Sequence, residues 1–439
     1  MAEPFDVAVI GAGPVGSFAA ERMARGGLRV ALLEKDVAPG DSTVCAGGLH
    51  RSVADVVALP DDLIERRLPA LRLVTVRGTT EWRFADPPYL TVERRALDRF
   101  LAARAEDAGA RLLTRARVVA LAPGYGALAY EDEAGGRRTL AARAFVFADG
   151  PRSLARTYVG PTPRAAARTW IGLEYDLALP GHALDALEIR LDPAALPLGY
   201  AWCFPKRDHV NVGLVTLAPP HGRPLRALLD ALVARWPALA GATVLARKGG
   251  IVPAAPVPRL HDGNRLAVGD AAGMTNPLTA GGYVCGFLSA AHAADACLAA
   301  FASGRFDERA LAAYPRRLRR TAHWVAIRAA AVVVDLAARA PAARLYPRLL
   351  AGYLRLAHAA LGVVRPLGAQ TTVGVETRSA SQTTPKYVFA RSHARASSSS
   401  AQASTNGTSA VAATAAPSAG ASATVSSAQS PSRTPSVAG

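Results

Sequence analysis

Phe5-Asp-Val-Ala-Val-Ile10-Gly11-Ala-Gly13-Pro-Val-Gly16 stands near the start of the chain, and its reading decides the fold. Phe5 to Ile10 is a short apolar run rich in β-branched residues, which suits a buried strand. The glycines follow at once, an alanine-rich helical pattern runs through Arg25, and Gly26-Gly27 stops it. Arg29 to Leu33 reads as a second strand ending on an acid, Glu34. Strand, glycine turn, helix, strand and acid in that order make a dinucleotide-binding unit. Gly11 permits the tight turn, Gly13 lets the backbone approach a pyrophosphate at the helix N-terminus, and Gly16 lets helix and strand pack closely. Glu34 is placed to accept hydrogen bonds from an adenosine ribose, a role that favours FAD or NAD over a 2′-phosphorylated cofactor.

Further glycine turns lie outward from this unit. Ala144 to Ala148 ends in Asp149-Gly150, and Arg265-Leu-Ala-Val268 runs into Gly269-Asp270-Ala-Ala-Gly273. Asn276-Pro-Leu-Thr-Ala-Gly281-Gly282-Tyr283 and a long helix come next. An aspartate in such a turn, followed by two glycines opening a helix, can grip a ribityl diphosphate and offer amides to the pyrimidine edge of a flavin. The loop from Pro39 to Leu49 carries Cys45-Ala46-Gly47-Gly48, where backbone and thiol can approach a planar ligand; inert packing is the alternative. Arg94 and Arg95 start a helix expected over Thr91 to Gly109, either reaching a phosphate or flavin edge or forming a solvated helix end.

The middle of the chain reads differently. Trp170 to Leu179, Leu187 to Leu191 and Tyr200 to Thr216 suggest antiparallel strands, with a helix from Pro224 to Trp236. In Tyr200-Ala-Trp202-Cys-Phe204-Pro-Lys206 the rings recur at every second position, so they share one face of a strand that Pro205 closes. They can wall an apolar cavity or form an ordinary core. The expected layout is an α/β protein: a discontinuous nucleotide-binding domain (1–160 and 245–305), an antiparallel sheet inserted at 161–244, and a helical region at 306–370. The Ser/Ala/Thr-rich tail at 378–439 is expected to be disordered.

With 439 residues, half of them apolar, the chain can bury a substantial core. Its net charge of +17 suits anionic partners. No nucleic-acid module is read, so an anionic membrane surface or a phosphorylated substrate is preferred. The helices after residue 306 can lie on such a surface or cap an apolar pocket. Cys45, Cys203, Cys285 and Cys297 form no CxxC pair, so neither a metal site nor a disulfide framework is indicated. No secretory signal and no apolar run of 18 residues is read, so the expected location is cytoplasmic, peripheral to a membrane if attached. Oligomeric state is not readable.

The four separated motifs (Gly11 to Gly16 with Glu34; Asp149-Gly150; Tyr200 to Gly213; Gly269-Asp270 to Gly282) together resemble the glutathione-reductase-type FAD fold in its p-hydroxybenzoate-hydroxylase-like branch. Within that branch, Tyr200, Trp202, Phe204, Pro205, Lys206, Asn211, Val212 and Gly213 resemble the signature Tyr-x-Trp-x-Phe-Pro-Lys-x4-Asn-Val-Gly of the geranylgeranyl reductase family. The resemblance covers roughly residues 5 to 370. It implies bound FAD and hydrogenation of isolated C=C bonds in a geranylgeranyl or polyprenyl chain, with NAD(P)H or ferredoxin as electron donor. Cofactor contacts are implied at Val15, Glu34, Val118, Cys45, Ala46, Gly48, Arg94, Asp149, Asp270, Gly282 and Tyr283. Arg94 is preferred to Arg95 for its spacing to Leu97-Asp98.

Cys45 is the candidate group near the reacting face, Tyr200 a candidate proton donor, and Trp202 and Phe204 candidate walls for the prenyl chain. Lys206 could hold a headgroup phosphate or sit in a solvated turn. The loop departs from the family's usual Cys-Gly-Gly-Gly by having Ala46, and Asn-Pro-Leu-Thr-Ala-Gly-Gly-Tyr is closer to lipid or quinone reductases than to the chlorophyll-side-chain enzymes. The rival readings are a flavin monooxygenase or halogenase of this fold, whose Trp-x-Trp-x-Ile-Pro run Tyr200 and Phe204 do not match, an electron-transfer or quinone oxidoreductase, whose iron–sulfur cysteines are missing, and a non-catalytic flavin or lipid carrier.

Overall fold

The computed structural model describes residues 3–161, 169–217, 224–339, 345–359 and 363–367. The tail expected at 378–439 lies outside them. Met1–Thr372 forms one compact unit built on two large sheets.

The first sheet grows from the opening motif. β1 (Phe5–Ile10) lies between two parallel neighbours, β2 (Val30–Leu33) and β11 (Arg137–Phe147). β8 (Arg111–Leu113) extends the parallel array beyond β2, and β18 (Arg265–Ala267) extends it beyond β11. The short β17 (His261–Asp262) pairs with β18, while β9 (Arg117–Leu121) and β10 (Ala127–Glu131) run antiparallel off β11. Central strands buried on both faces read as unbroken apolar runs, as β2 does throughout and β1 does from Val7 to Ile10. α1 (Pro14–Arg25) has Pro14 in its first turn, where a missing N–H removes no bond.

α1 packs on α5 (Tyr283–Ala302), whose Ala290, Ala293 and Ala294 are fully buried. Small side chains let the two helices approach closely. α5 is 20 residues long and apolar enough to cross a membrane by length and composition. Two-thirds of its apolar window is buried in the protein, so it serves as a core helix. α3 (Ala155–Tyr158), α6 (Glu308–Leu311) and α7 (Ala313–Arg319) are short helices around this sheet.

The second sheet has the order β16-β12-β15-β14-β13-β5-β6-β19. Its strands are β5 (Ala70–Thr75), β6 (Gly78–Arg83), β12 (Thr169–Ala178), β13 (Ala186–Leu191), β14 (Gly199–Pro205), β15 (His209–Thr216), β16 (Thr243–Pro253) and β19 (Val363–Leu367). The inserted sheet is therefore wider than 161–244. β5 pairs in parallel with β13, so residues 70–83 belong here and not with the nucleotide-binding sheet, and β16 carries the sheet to Pro253. The expected helical region at 306–370 is corrected at its end: Val363–Leu367 is an edge strand on β6, a place that tolerates Pro366.

Period-two alternation sorts β14 as the sequence predicts. Tyr200 and Trp202 face a core shared with Trp82, Trp170 and two C-terminal helices, α8 (Ala322–Ala337) and α9 (Tyr346–Ala359). Ala201 and Cys203 face the opposite core, under α4 (Leu225–Ala234). A third, small sheet of β3 (Gly48–His50), β4 (Ile64–Leu68) and β7 (Tyr89–Val92) joins the cysteine loop to the start of α2 (Arg94–Asp107). Thr91 was expected inside that helix. It is the strand partner of Gly48, and its hydroxyl donates to the Pro205 carbonyl at 2.8 Å.

Candidate active site

At the glycine turn, Gly11 has φ of +99°, and a β-carbon there would lie 2.6 Å from the Ala148 carbonyl oxygen. One on Gly16 would lie 2.0 Å from the Gly11 oxygen. Both positions therefore exclude a side chain. A β-carbon on Gly13 would meet only the Arg94 guanidinium, at 3.6 Å, so an arginine faces the turn where a diphosphate would lie. Arg94 Nε donates to Asp98 Oδ1 at 2.6 Å, whereas Arg95 is exposed and 3.6 Å from Asp41. Of the two, Arg94 is the one that faces the glycine turn. The Glu34 carboxylate accepts the N–H groups of Ala12 and Asp36, both at 3.0 Å, and its carbonyl accepts from Ala116, which leads into Val118 on β9. Val15 packs under the last motif, since a β-carbon on Gly286 would fall 2.7 Å from its Cγ2.

The Asp149 carboxylate is committed within the protein. It accepts the Ser153 hydroxyl and the Leu154 N–H and caps the turn after β11, so the backbone of this residue, not its side chain, faces Gly11. Asp270 is different. Burial pushes its carboxyl up against the opposing charge of Arg94, and it has no hydrogen-bond partner among the described residues. A β-carbon on Gly282 would sit 3.3 Å from its Oδ1. A half-buried acid with no side-chain partner among the described residues, a side-chain-free turn and a helix N-terminus at Tyr283 fit the ribityl and pyrimidine parts of FAD.

The loop between Asn276 and Gly282 is held from below. Ala280 takes a left-handed φ of +53°, a strained choice for a residue with a β-carbon. Tyr200 donates its hydroxyl to the Thr279 carbonyl at 2.5 Å, and Tyr346 donates to the Leu278 carbonyl at 2.7 Å. Tyr200 was expected as a proton donor. Its hydroxyl donates to a backbone carbonyl and burial raises its pKa far above the ordinary value, a placement that ties β14 to the loop between Asn276 and Gly282.

Cys45 lies across from that loop, its Sγ 3.4 Å from the Tyr283 hydroxyl and 3.4 Å from the Gly47 N–H. The Arg94 guanidinium stands 5.7 Å from the centre of the Tyr283 ring. A β-carbon on Gly47, at φ +72°, would fall 2.1 Å from the Val92 oxygen. One on Gly48 would fall 2.7 Å from the Phe204 ring. These two glycines are required, while Ala46 packs its methyl against the aromatic core, which explains why an alanine is accepted there.

The aromatic wall is continuous. Ring centres of Tyr200 and Trp202 are 6.1 Å apart, and those of Trp202 and Phe204 are 6.2 Å apart. Trp202 Nε1 donates to Asn211 Oδ1 at 2.8 Å, Asn211 Nδ2 donates to Asp176 Oδ1 at 2.8 Å, and Lys248 Nζ pairs with Asp176 at 2.5 Å. Trp202 stands opposite Gly213, and its indole fills the space a side chain there would take. The motif's asparagine and glycine therefore serve its tryptophan.

Lys206 is corrected. It is 2% exposed, with Nζ donating to the Val92 carbonyl at 2.9 Å and to Glu93 Oε1 at 2.6 Å, so it is neither a solvated turn nor free for a phosphate. Burial opposes the charge on Glu93, yet hydrogen bonds from His209 and Lys206 hold its carboxyl down at about 2. The sequence reading singled out neither Glu93 nor Glu174. For Glu174 a signal was present: two acids at alternate positions in the otherwise apolar strand Trp170 to Leu177. Among the described residues no cluster of potential metal ligands occurs.

A diphosphate-binding turn on a parallel sheet, an acid-bearing flavin loop, and a second sheet presenting an aromatic face beside a cysteine define an FAD-dependent oxidoreductase. The family profile described as Lycopene cyclase protein matches residues 6–354. The chain is 33% identical over 310 residues to digeranylgeranylglycerophospholipid reductase 1 of Methanopyrus kandleri, covering 66% of this chain and 81% of that one. It is 30% identical over 339 residues to the protein of the same name from Methanothermobacter thermautotrophicus, covering 73% and 83%. A geranylgeranyl bacteriochlorophyll reductase-like structure from Thermoplasma acidophilum superposes with a TM-score of 0.69 at 22% identity, covering 82% of this chain and 99% of that one. A myxobacterial chondrochloren halogenase, FAD-dependent, shares the fold with a TM-score of 0.63 at 21% identity, covering 81% and 90%. The chain belongs to the lycopene cyclase protein family in the breadth of that profile, and within it to the geranylgeranyl reductases.

Proposed function

We propose that this enzyme hydrogenates isolated C=C bonds in the geranylgeranyl chains of a lipid. The observation that carries the reading is the aromatic row of Tyr200, Trp202 and Phe204, which leads along one sheet face to the cysteine loop. A flat, apolar prenyl chain matches such a wall, and no polar handle on the alkene is needed. Reduced FAD, when bound, supplies a hydride to one alkene carbon.

The chain's own residues do the rest. The turn at Gly11 to Gly13, with Arg94, would hold the diphosphate, Gly16 would keep helix and strand close beneath it, and Glu34 would hold the ribose. Asp270 and the amides at Gly282 and Tyr283 orient the ring system. Tyr200 and Tyr346 fix the loop that carries those amides. Trp202 and Phe204 exclude water and align the alkene. Cys45 Sγ, beside the Tyr283 hydroxyl, holds the proton for the second alkene carbon.

Location on an anionic membrane surface is part of the proposal. Val325, Val332 and Leu336 on α8 and Leu349 and Tyr353 on α9 are exposed, with Arg328, Arg348 and Arg355 on the same helices. The test is anaerobic: flavin reduced chemically in the purified holoenzyme should be reoxidised by a digeranylgeranyl glycerophospholipid in vesicles, with saturated chains recovered by mass spectrometry. Trp202→Ala should suppress that reoxidation while leaving FAD bound. Reduced flavin that persists beside intact lipid would refute the reading.

A further inference from the structure

Glu174 is buried in the wall of the site, at 3% exposure. The sheet register places it in one cross-strand row with Trp202 and Gly213: Trp202 pairs with Gly213, and Gly213 pairs with Glu174. Paired residues point to the same face of a sheet, so Glu174 stands on the aromatic face, one strand beyond the gap that the indole fills. From there Glu174 Oε1 accepts the backbone N–H of Cys45 at 3.1 Å, across 129 residues of sequence.

The charged neighbours are few. Lys248, opposite it on β16, gives its ammonium to Asp176 at 2.5 Å, and Lys206 gives its own to Glu93 at 2.6 Å. Burial, with Asp176 adding to it and Lys248 and Lys206 opposing, pushes the Glu174 carboxyl up to about 7. The hydrogen bond of this buried acid therefore goes to the amide of the cysteine whose thiol meets the Tyr283 hydroxyl.

We propose that Glu174 is a positioning residue for Cys45, tying the cysteine loop to the substrate sheet so that the thiol is held at the Tyr283 hydroxyl. The role in turnover rests on the prenyl-reduction reading; the tie itself does not. An ionised acceptor makes a stronger hydrogen bond than a neutral one, so the tie tightens as pH rises through 7.

The experiment measures maleimide alkylation of Cys45 in the FAD-bound protein, followed by peptide mass spectrometry, from pH 6 to pH 8.5. FAD content checks the fold of each variant. Glu174→Ala removes the acceptor, Glu174→Asp shortens it by one methylene while keeping the charge, and Glu174→Gln keeps a neutral acceptor of the same reach. Alkylation should be about tenfold faster than wild type in Glu174→Ala and Glu174→Asp, as expected for loss of one buried hydrogen bond. Glu174→Gln should match wild type near pH 6 and exceed it above pH 7.5. Where Glu174→Ala does not fold, Glu174→Asp and Glu174→Gln carry the comparison. Equal rates in wild type and Glu174→Asp, or a constant ratio of Glu174→Gln to wild type across the pH range, would overturn the proposal. Because alkylation needs no lipid turnover, that result is distinct from a failure of prenyl reduction.

Discussion

The pairing of Trp202 with Gly213 predicts the outcome of adding one methyl group. In Gly213→Ala the new β-carbon would lie 2.3 Å from Trp202 Cζ2, and 2.7 Å from both Trp202 Cε2 and the Leu173 carbonyl oxygen. Leu173 is fixed in the β12–β15 ladder, so the displacement falls on the indole, which must retreat by about 1 Å to reach ordinary contact distance. That stretches the 2.8 Å bond from Nε1 to Asn211 beyond hydrogen-bonding range. Overpacking of this kind costs about 1–3 kcal/mol, and an unpartnered Asn211 oxygen in a dry interior about 1–3 kcal/mol more. We expect a loss of roughly 3 kcal/mol in urea unfolding of the holoenzyme. Lipid-driven reoxidation should slow by at least about tenfold, which a displaced alkene would produce, while FAD stoichiometry stays at wild type. In a Trp202→Phe background the contacts with Cζ2 and Cε2 are removed while the one with the Leu173 oxygen stays, so the same methyl should cost roughly 1–2 kcal/mol, a coupling of about 1–2 kcal/mol. Strict additivity of the two substitutions would refute the packing argument, and so would unchanged turnover in Gly213→Ala.

Two further outcomes follow from the site. Tyr200→Phe removes the bond to the Thr279 carbonyl and should weaken FAD binding about threefold to tenfold through a looser flavin loop. The pH profile of turnover should stay where it is, since a tyrosine acting as proton donor would shift it. For Glu174, a folded pKa of about 7 against an ordinary 4.5 means that its contribution to stability is fully present below 4.5 and is lost as pH rises through 7. Wild type should therefore lose about 2.5 kcal/mol relative to Glu174→Gln between pH 5 and pH 8, read from urea midpoints. A difference that does not change with pH would exclude the buried, near-neutral acid.

The sequence by itself determined what is local. The fingerprint is written within 34 residues because turn, helix and ribose acid are neighbours along the chain, and Gly11 and Gly16 are set by close backbone approaches. The aromatic face of β14 was equally legible, since strand geometry puts every second side chain on one side.

Only the tertiary structure decided what lies across long separations. Lys206 reads as a surface cation until Glu93, 113 residues away, is seen beneath it. Tyr200 reads as an acid until the Thr279 carbonyl, 79 residues on, is seen to accept its hydrogen bond. Strands 70–83 join the second sheet because β13 offers them an edge, which no pattern inside those strands announces. Glu174 gained a role only when the register set it beside Gly213 and under Cys45. Residue type and period determine which face a side chain takes, but burial and partners come from other segments, and these decide whether a polar group anchors, titrates or meets a ligand.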